Sequence, residues 1–253
     1  NDAGGALVSL LACFNYFYEN PNLKYNILMV ASAEEETAGD KSLRYLIPYL
    51  PKIDFAIIGE PTQMELAIAE KGLVVFDIEI KGTPSHAAHP NKDNPLMKLP
   101  EIIKKIENIS FEKISPILGP VKLTLTQINA GSQHNVVPSE VKLVLDVRVN
   151  ECYQNHEIYE VIQKSLPCNV KARSLHLKSS SISIHHPIVK AGEKLGRKTY
   201  GSPTLSDQAS LSCPSLKLGP GDSTRSHSSD EFIYIKEIEE GISIYINLLK
   251  QII

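Results

Sequence analysis

The sequence predicts an α/β protein: a mostly parallel sheet with helices on both faces, into which a ferredoxin-like βαββαβ unit is inserted. Three observations carry this. Helical periodicities alternate with short apolar runs of strand length up to about residue 69, strict period-two alternation takes over between 70 and 179, and the first pattern resumes from 180 to 253. The expected division is a discontinuous larger domain, 1–69 with 180–253, and an inserted domain, 70–179.

In order along the chain, Leu7, Leu10, Leu11, Phe14 and Tyr18 recur at helical spacing over 6–18, and the mostly apolar run from Tyr25 to Ala33 reads as a strand. Lys41 to Leu50 reads as a helix stopped by Pro51, whose ring cannot continue it. Asp54 to Gly59 has the composition of a short strand buried on both faces. Val74, Phe76, Ile78 and Ile80 then alternate with Val75, Asp77, Glu79 and Lys81, as in a strand with one wet side. A helix begins after Asn94-Pro95 and carries Leu96, Leu99, Ile102, Ile103, Ile106 and Ile109. Alternation returns over 122–128 and 141–149, followed by a helix over 153–166 and a strand over 169–175, which completes βαββαβ. Beyond Lys178-Ser179-Ser180-Ser181 come a helix over 188–195, a short run Ser215 to Leu218, a Gly-Pro-Gly turn, and a final helix bearing Ile235, Ile238, Ile242, Ile246 and Leu249.

With 253 residues, 42% hydrophobic and 22% charged, the chain has enough material for a substantial core and is neither disordered nor collagen-like. A net charge of -3 with no Lys/Arg block leaves no electrostatic footprint for nucleic acid. No apolar run approaches the ~18 residues of a membrane span, so a soluble, cytoplasmic protein is expected. Cys13, Cys152, Cys168 and Cys213 lack metal-type or redox-type spacing and read as reduced thiols.

Open α/β sheets place their sites past the carboxyl ends of strands, and here those positions are acidic. Glu34-Glu35-Glu36 follows the Tyr25 run and Glu60 follows the Asp54 run. Such a crowd of carboxylates repels itself unless a cation sits within it, although three acids at a helix start also suit the helix dipole. Asp2, before a Gly-Gly turn, and His227, in a Ser/Asp/Thr/His loop before the last helix, can converge on the same sheet edge. A carboxylate-rich set with one imidazole suits Zn²⁺, Mn²⁺ or Co²⁺ in a hydrolytic site, and a spare Glu beside a ligand Glu is what a general base would look like.

Six strings now stand in order: Asn1-Asp2-Ala3-Gly4-Gly5, Ala33-Glu34-Glu35-Glu36-Thr37-Ala38-Gly39, Ile58-Gly59-Glu60-Pro61-Thr62, Gly82-Thr83-Pro84-Ser85-His86-Ala87-Ala88-His89-Pro90, Asn135-Val136-Val137-Pro138, and Ser226-His227-Ser228-Ser229-Asp230-Glu231. Together they resemble the M20 metallopeptidase and deacylase family over essentially the whole chain.

The resemblance implies two zinc ions per subunit, with Co²⁺ or Mn²⁺ as substitutes. Asp2 would bridge them, Glu36 and His227 would hold one, and Glu60 would hold the other. Glu35 would be the base that activates water against an amide carbonyl; a one-residue slip would make Glu34 the base and Glu35 the ligand. His86 would reach a partner subunit's site to stabilise the oxyanion, so the resemblance implies a homodimer through residues 70–179. Asn135 and Arg148 would bind substrate polar groups, and Gly219 and Gly221 would line the site. Lys71-Gly72 reads as a hinge, and His89, His185 and His186 carry no role. The peptide bond Asp2-Ala3 is expected to be cis.

The stretch Ser202 to Gln208, with Leu216 to Ser223, resembles the acetylornithine and acetylcitrulline deacetylase branch. That implies removal of an N-acetyl or N-succinyl group from an ornithine-like or citrulline-like amino acid in arginine biosynthesis, with succinyl-diaminopimelate desuccinylase as the alternative enzyme. Arg148 suits an α-carboxylate, and a free Arg225 would suit a succinyl carboxylate. A non-catalytic binder of the same fold is the reading of another class. The family's His-x-Asp motif, upstream of the bridging Asp, has no counterpart before Asp2, so a chain beginning at Asn1 is expected to bind metal weakly and to lack useful activity.

Overall fold

The computed structural model describes every residue except Ala38 and Asp40, so Ala38 of the acidic string lies outside the described residues. The elements begin with α1 (Gly4–Phe17), α2 (Leu43–Leu46), β1 (Ala56–Ile58), β2 (Leu66–Glu70), β3 (Gly72–Lys81), β4 (Ser85–His86) and α3 (Pro95–Glu107). Next come β5 (Lys122–Ala130), β6 (Val136–Val137), β7 (Glu140–Val149), α4 (Asn155–Ser165), β8 (Asn169–Ala172) and β9 (Ser180–Ser181). Last are α5 (Pro187–Lys194), β10 (Thr199–Ser202), β11 (Ser215–Lys217) and α6 (Ile235–Leu249). They form two compact units, Asn1–Glu70 with Ser180–Ile253, and Lys71–Ser179. No helix among the described residues is long and apolar enough to cross a membrane.

The second unit follows its alternation closely. Its sheet runs β5-β7-β3-β8 with every pair antiparallel. Val74, Phe76 and Ile78 of β3 and Val141, Leu145, Val147 and Val149 of β7 are all fully buried. They pack with Ile102 and Ile106 of α3 and Ile158 and Ile162 of α4, so both helices cover one face of the sheet. Each such side chain contributes roughly 1.5–3 kcal/mol by leaving water. The helices start where their caps allow: the Asn94 side chain accepts the Leu96 N–H, and Gln154 with Glu157 closes a capping box. A two-residue ribbon, β4 with β6, joins the loops on either side of α3 and β5, with His86 opposite Val136.

The sheet of the first unit is mixed. Its order is β1-β11-β2-β10, with β9 also on β2. Pairs β1–β11 and β2–β10 are parallel, whereas β2 runs antiparallel to β11 and to β9, the latter through Glu70 opposite Ser180. The strands β2 and β10 have no counterpart in the sequence reading. β2 is Leu-Ala-Ile-Ala-Glu, buried at every position, so it shows no alternation, and β10 is Thr-Tyr-Gly-Ser.

Three expectations are corrected here. The run 25–33 forms no ladder: β1 pairs with β11, and the run packs through Ile27 and through Tyr25 edge-on to Phe55. The helix over 41–50 reduces to α2 and a 3-10 turn, Ile47–Tyr49. In α1 the buried face is Ala6, Ser9, Cys13 and Phe17, while Leu7, Leu11 and Tyr18 are exposed. Small residues at 5, 6 and 9 let α1 approach α6, where the Ser9 hydroxyl donates to Gly5 O at 2.9 Å and reaches Ile238 O at 3.4 Å.

Candidate metal centre

Three segments of the first unit meet at one acidic cluster. Asp2 stands immediately before α1, and its bond to Ala3 is cis. Glu36 lies in the turn after residue 33, and His227 follows a 3-10 turn, Ser223–Arg225. Ligand atoms of Asp2, Glu36 and His227 all lie within 4.8 Å of one another, with His227 Nε2 3.7 Å from Glu36 Oε2. Glu60, two residues past β1, is outside this set of three, yet Asp2 and Glu35 both act on its charge.

Burial and mutual repulsion raise the carboxyls of Glu35 and Glu60. Burial pushes the Glu35 carboxyl up from 4.5 to about 7, with Asp207, Glu36, Asp2 and Glu70 adding to the effect. Burial likewise pushes Glu60 up to about 8 against the pull of Lys217, and Asp2, Glu35 and Glu70 raise it further. Glu34 does not share the cluster: at φ 56° it turns back, and its Oε2 accepts the Lys41 N–H at 3.0 Å. Of the three consecutive acids, Glu36 therefore joins Asp2 and His227 and Glu35 lies half-buried beside them. Carboxylates with one imidazole, mutually repelling and exposed on one side, fit a divalent cation by donor chemistry.

Several residues that the sequence reading did not single out build this site. Glu231 accepts the Asp2 N–H at 2.6 Å and the His227 N–H at 3.0 Å, which holds its own carboxyl below the usual range. The Asn1 side chain donates to Asp222 O and Ser226 Oγ and accepts the Asp222 N–H, fixing the loop that leads to His227. Asp207 accepts from Ser32 Oγ at 2.6 Å, just upstream of the acidic turn. Glu70 and Lys217, both essentially buried, form an ion pair at 3.3 Å that Ser206 supports by donating to the same Glu70 oxygen at 2.8 Å. Burial still raises the Glu70 carboxyl against these contacts. Glu231 and Asn1 lie in the marked strings, and Ser206, Asp207 and Lys217 in the stretches 202–208 and 216–223, but their partners are recognisable by contacts alone.

The remaining candidates fall as follows. Gly219 and Gly221 are buried, Gly219 against the Glu60 main chain and Gly221, at φ 92°, against the Asn1 side chain. They allow close packing of the site's loops and offer no exposed lining. Arg225 is not free: it donates to Glu237 Oε2 at 2.7 Å and lies over the Phe232 and Tyr234 rings.

In the second unit, the ribbon brings the His86 and Asn135 loops together, with Asn135 O accepting the Ala87 N–H at 2.9 Å. His86 Nδ1 accepts the Ala88 N–H at 3.1 Å, which leaves the ring proton on Nε2. His89 stands edge-on to His86, with ring centroids 5.8 Å apart. Arg148 is already forked onto Asp146, at 2.8 and 3.1 Å. Lys71 donates to Pro120 O at 2.9 Å. His185 is exposed, whereas His186 is half-buried and caps α5 against Phe55.

Residues 68–167 match the M20 peptidase dimerisation domain. The chain is 26% identical to succinyl-diaminopimelate desuccinylase of Rickettsia felis, over 100% of this chain and 73% of that protein. It is also 26% identical to the LysW-lysine/LysW-ornithine hydrolase of Saccharolobus solfataricus, over 99% and 72%. Its fold superposes on the crystal structure of the dinuclear metal-binding M20 peptidase YxeP of Bacillus subtilis with a TM-score of 0.70, at 16% identity, over 95% and 69% of the two chains. Fold and relatives support a hydrolytic enzyme. Within that class, the chain is similar to members of the M20 family, whose dimerisation domain its residues 68–167 match.

Proposed function

We propose that this protein hydrolyses the amide of an N-acetylated or N-succinylated ornithine-like or citrulline-like amino acid, releasing the amine and the acyl group as its carboxylate, with zinc as its metal and Co²⁺ or Mn²⁺ as substitutes. The observation that carries the reading is the convergence of Asp2, Glu36 and His227, with the half-buried Glu35 alongside. Those three and Glu60 would hold the metal, which supplies Lewis acidity toward a carbonyl and toward water. Glu35, half-buried beside the three, would be positioned to take a proton and to return one to the departing amine. His86 carries its proton on the atom facing away from its own loop and so can donate to a developing oxyanion. In this reading it serves the site of a second copy, held through the dimerisation domain. Arg148 would meet a substrate carboxylate in competition with Asp146.

The names of the relatives support lysine, ornithine or diaminopimelate as the amine released. An ornithine or citrulline derivative remains the substrate that the motifs around Ser202 to Ser223 favour. A succinyl carboxylate would need a partner other than Arg225, which Glu237 already holds. Turnover of acetylornithine, acetylcitrulline, succinylornithine and succinyl-diaminopimelate by the zinc-loaded full-length protein tests the reading. Hydrolysis of one of these that a chelator abolishes is the expected result. No hydrolysis of any, with zinc bound, would favour the binder. Light scattering tests the dimer, for which twice the chain mass is expected.

A further inference from the structure

We infer that Glu231 is a positioning residue of the metal centre, one carboxylate that clamps the main chains of two candidate ligands from opposite ends of the sequence. Its Oε1 accepts the Asp2 N–H at 2.6 Å and its Oε2 accepts the His227 N–H at 3.0 Å. Hydrogen bonds to an ionised acceptor are roughly twice as strong as neutral ones, and the two oxygens fix both the separation and the orientation of the segments they hold.

The need for such a clamp is local. His227 sits at φ 58°, where a residue with a side chain is disfavoured, so the loop alone does not hold its backbone there. The direction of the imidazole follows from that backbone. Other anchors of the loop act elsewhere: Arg225 binds Glu237, and Asn1 binds Asp222 and Ser226. Among the described residues, Glu231 is the side chain that contacts the main chains of both Asp2 and His227. It is not itself one of the three converging ligands. Its place is that of an outer partner, of the kind whose loss typically costs 10–100-fold in metal affinity.

The inference rests on reading the Asp2, Glu36 and His227 cluster as a metal site, and the test separates the two. Glu231→Gln keeps the shape but turns one acceptor into a donor facing an N–H. Arg225→Gln loosens the same loop at its other anchor and serves as the comparison. The expected result for Glu231→Gln is zinc affinity about 10–100-fold below wild type, a changed visible spectrum with cobalt bound, and an unchanged melting temperature without metal. The His227 amide should exchange faster in the metal-free variant, and Arg225→Gln should lose much less affinity. Wild-type affinity and wild-type His227 exchange in Glu231→Gln would overturn the inference alone, as would an equal loss in Arg225→Gln. A wild-type chain that takes up no zinc would bring down the metal-centre reading, and this inference with it.

Discussion

His227 Nε2 and Glu36 Oε2 approach to 3.7 Å although they come from opposite ends of the first unit's sequence, and Asp2 completes the set. Both side chains are largely exposed, so replacing either should leave the fold intact. His227→Ala is expected to weaken zinc binding by at least about 100-fold, more than typical losses from outer partners, at an unchanged melting temperature of the metal-free chain. Calorimetric titration measures it; near-wild-type affinity would remove His227 from the ligand set.

Glu35 sits among the acids without entering the three-residue cluster. Glu35→Gln should lower kcat by about 10²–10⁴-fold, the usual contribution of a positioned base, while zinc affinity stays level or rises as a repelling charge is lost. Turnover of the metal-loaded variant and a parallel zinc titration separate the two effects. Loss of both together would instead make Glu35 a ligand and support the slipped register.

The same crowding sets a pH dependence. Folding raises Glu35 to about 7 and Glu60 to about 8 from 4.5, so the folded chain binds these protons more tightly than the unfolded one. Their contribution is most favourable below 4.5 and is lost as pH rises through 7 and 8. Without metal, the chain should therefore melt at falling temperatures between about pH 5.5 and 8.5, and zinc should cancel the slope. Glu60→Gln should flatten it. Melting curves in chelator across that range would reject the account if the slope ran upward.

The Glu70–Lys217 pair is buried on both sides, at 0% and 3% side-chain exposure. Lys217→Met removes the cation beside the buried Glu70 carboxylate, which keeps the Ser206 hydroxyl, and breaking such a pair typically costs about 3–5 kcal/mol. Adding Glu70→Leu should recover much of that loss, because the second change removes the uncompensated charge. Urea unfolding of the single and double variants checks both parts.

For His86, Nδ1 is engaged by the Ala88 N–H and the ring is exposed. His86→Ala should leave stability unchanged and lower kcat by about 10²–10³-fold, the usual loss for one oxyanion donor. In the dimer reading, mixing His86→Ala with Glu35→Gln protein should restore part of the activity, since one hybrid site regains both groups. No recovery after subunit exchange would place His86 on its own subunit's site.

What the sequence revealed divides along the two units. In β3 and β7 one face is wet, so period-two alternation marks every inward residue from Val74 to Ile80 and from Val141 to Val149. In β2 all five residues are buried, and two alanines with a terminal glutamate give no pattern to read. The run 25–33 has strand composition without a ladder partner, because apolar content reports burial and not pairing. Asp2, Glu36 and His227 were legible because they stand in marked strings of acids and imidazole between predicted elements. Glu231, Asp207 and Lys217 act through hydrogen bonds and ion pairs formed across the fold, and nothing in their spacing announces such partners.

The pairing of Glu70 with Ser180 has a consequence for how this chain can change. The backbone leaves the first sheet at one rung and returns at the same rung, so to that sheet everything from 71 to 179 is the tip of one long hairpin. The entropy of closing a loop grows only with the logarithm of its length, about 0.6 kcal/mol per doubling. The intervening domain can therefore be enlarged, trimmed or exchanged for another with little effect on the register of the sheet beneath. The first unit is in that sense a socket, which keeps its own register whatever is plugged into it.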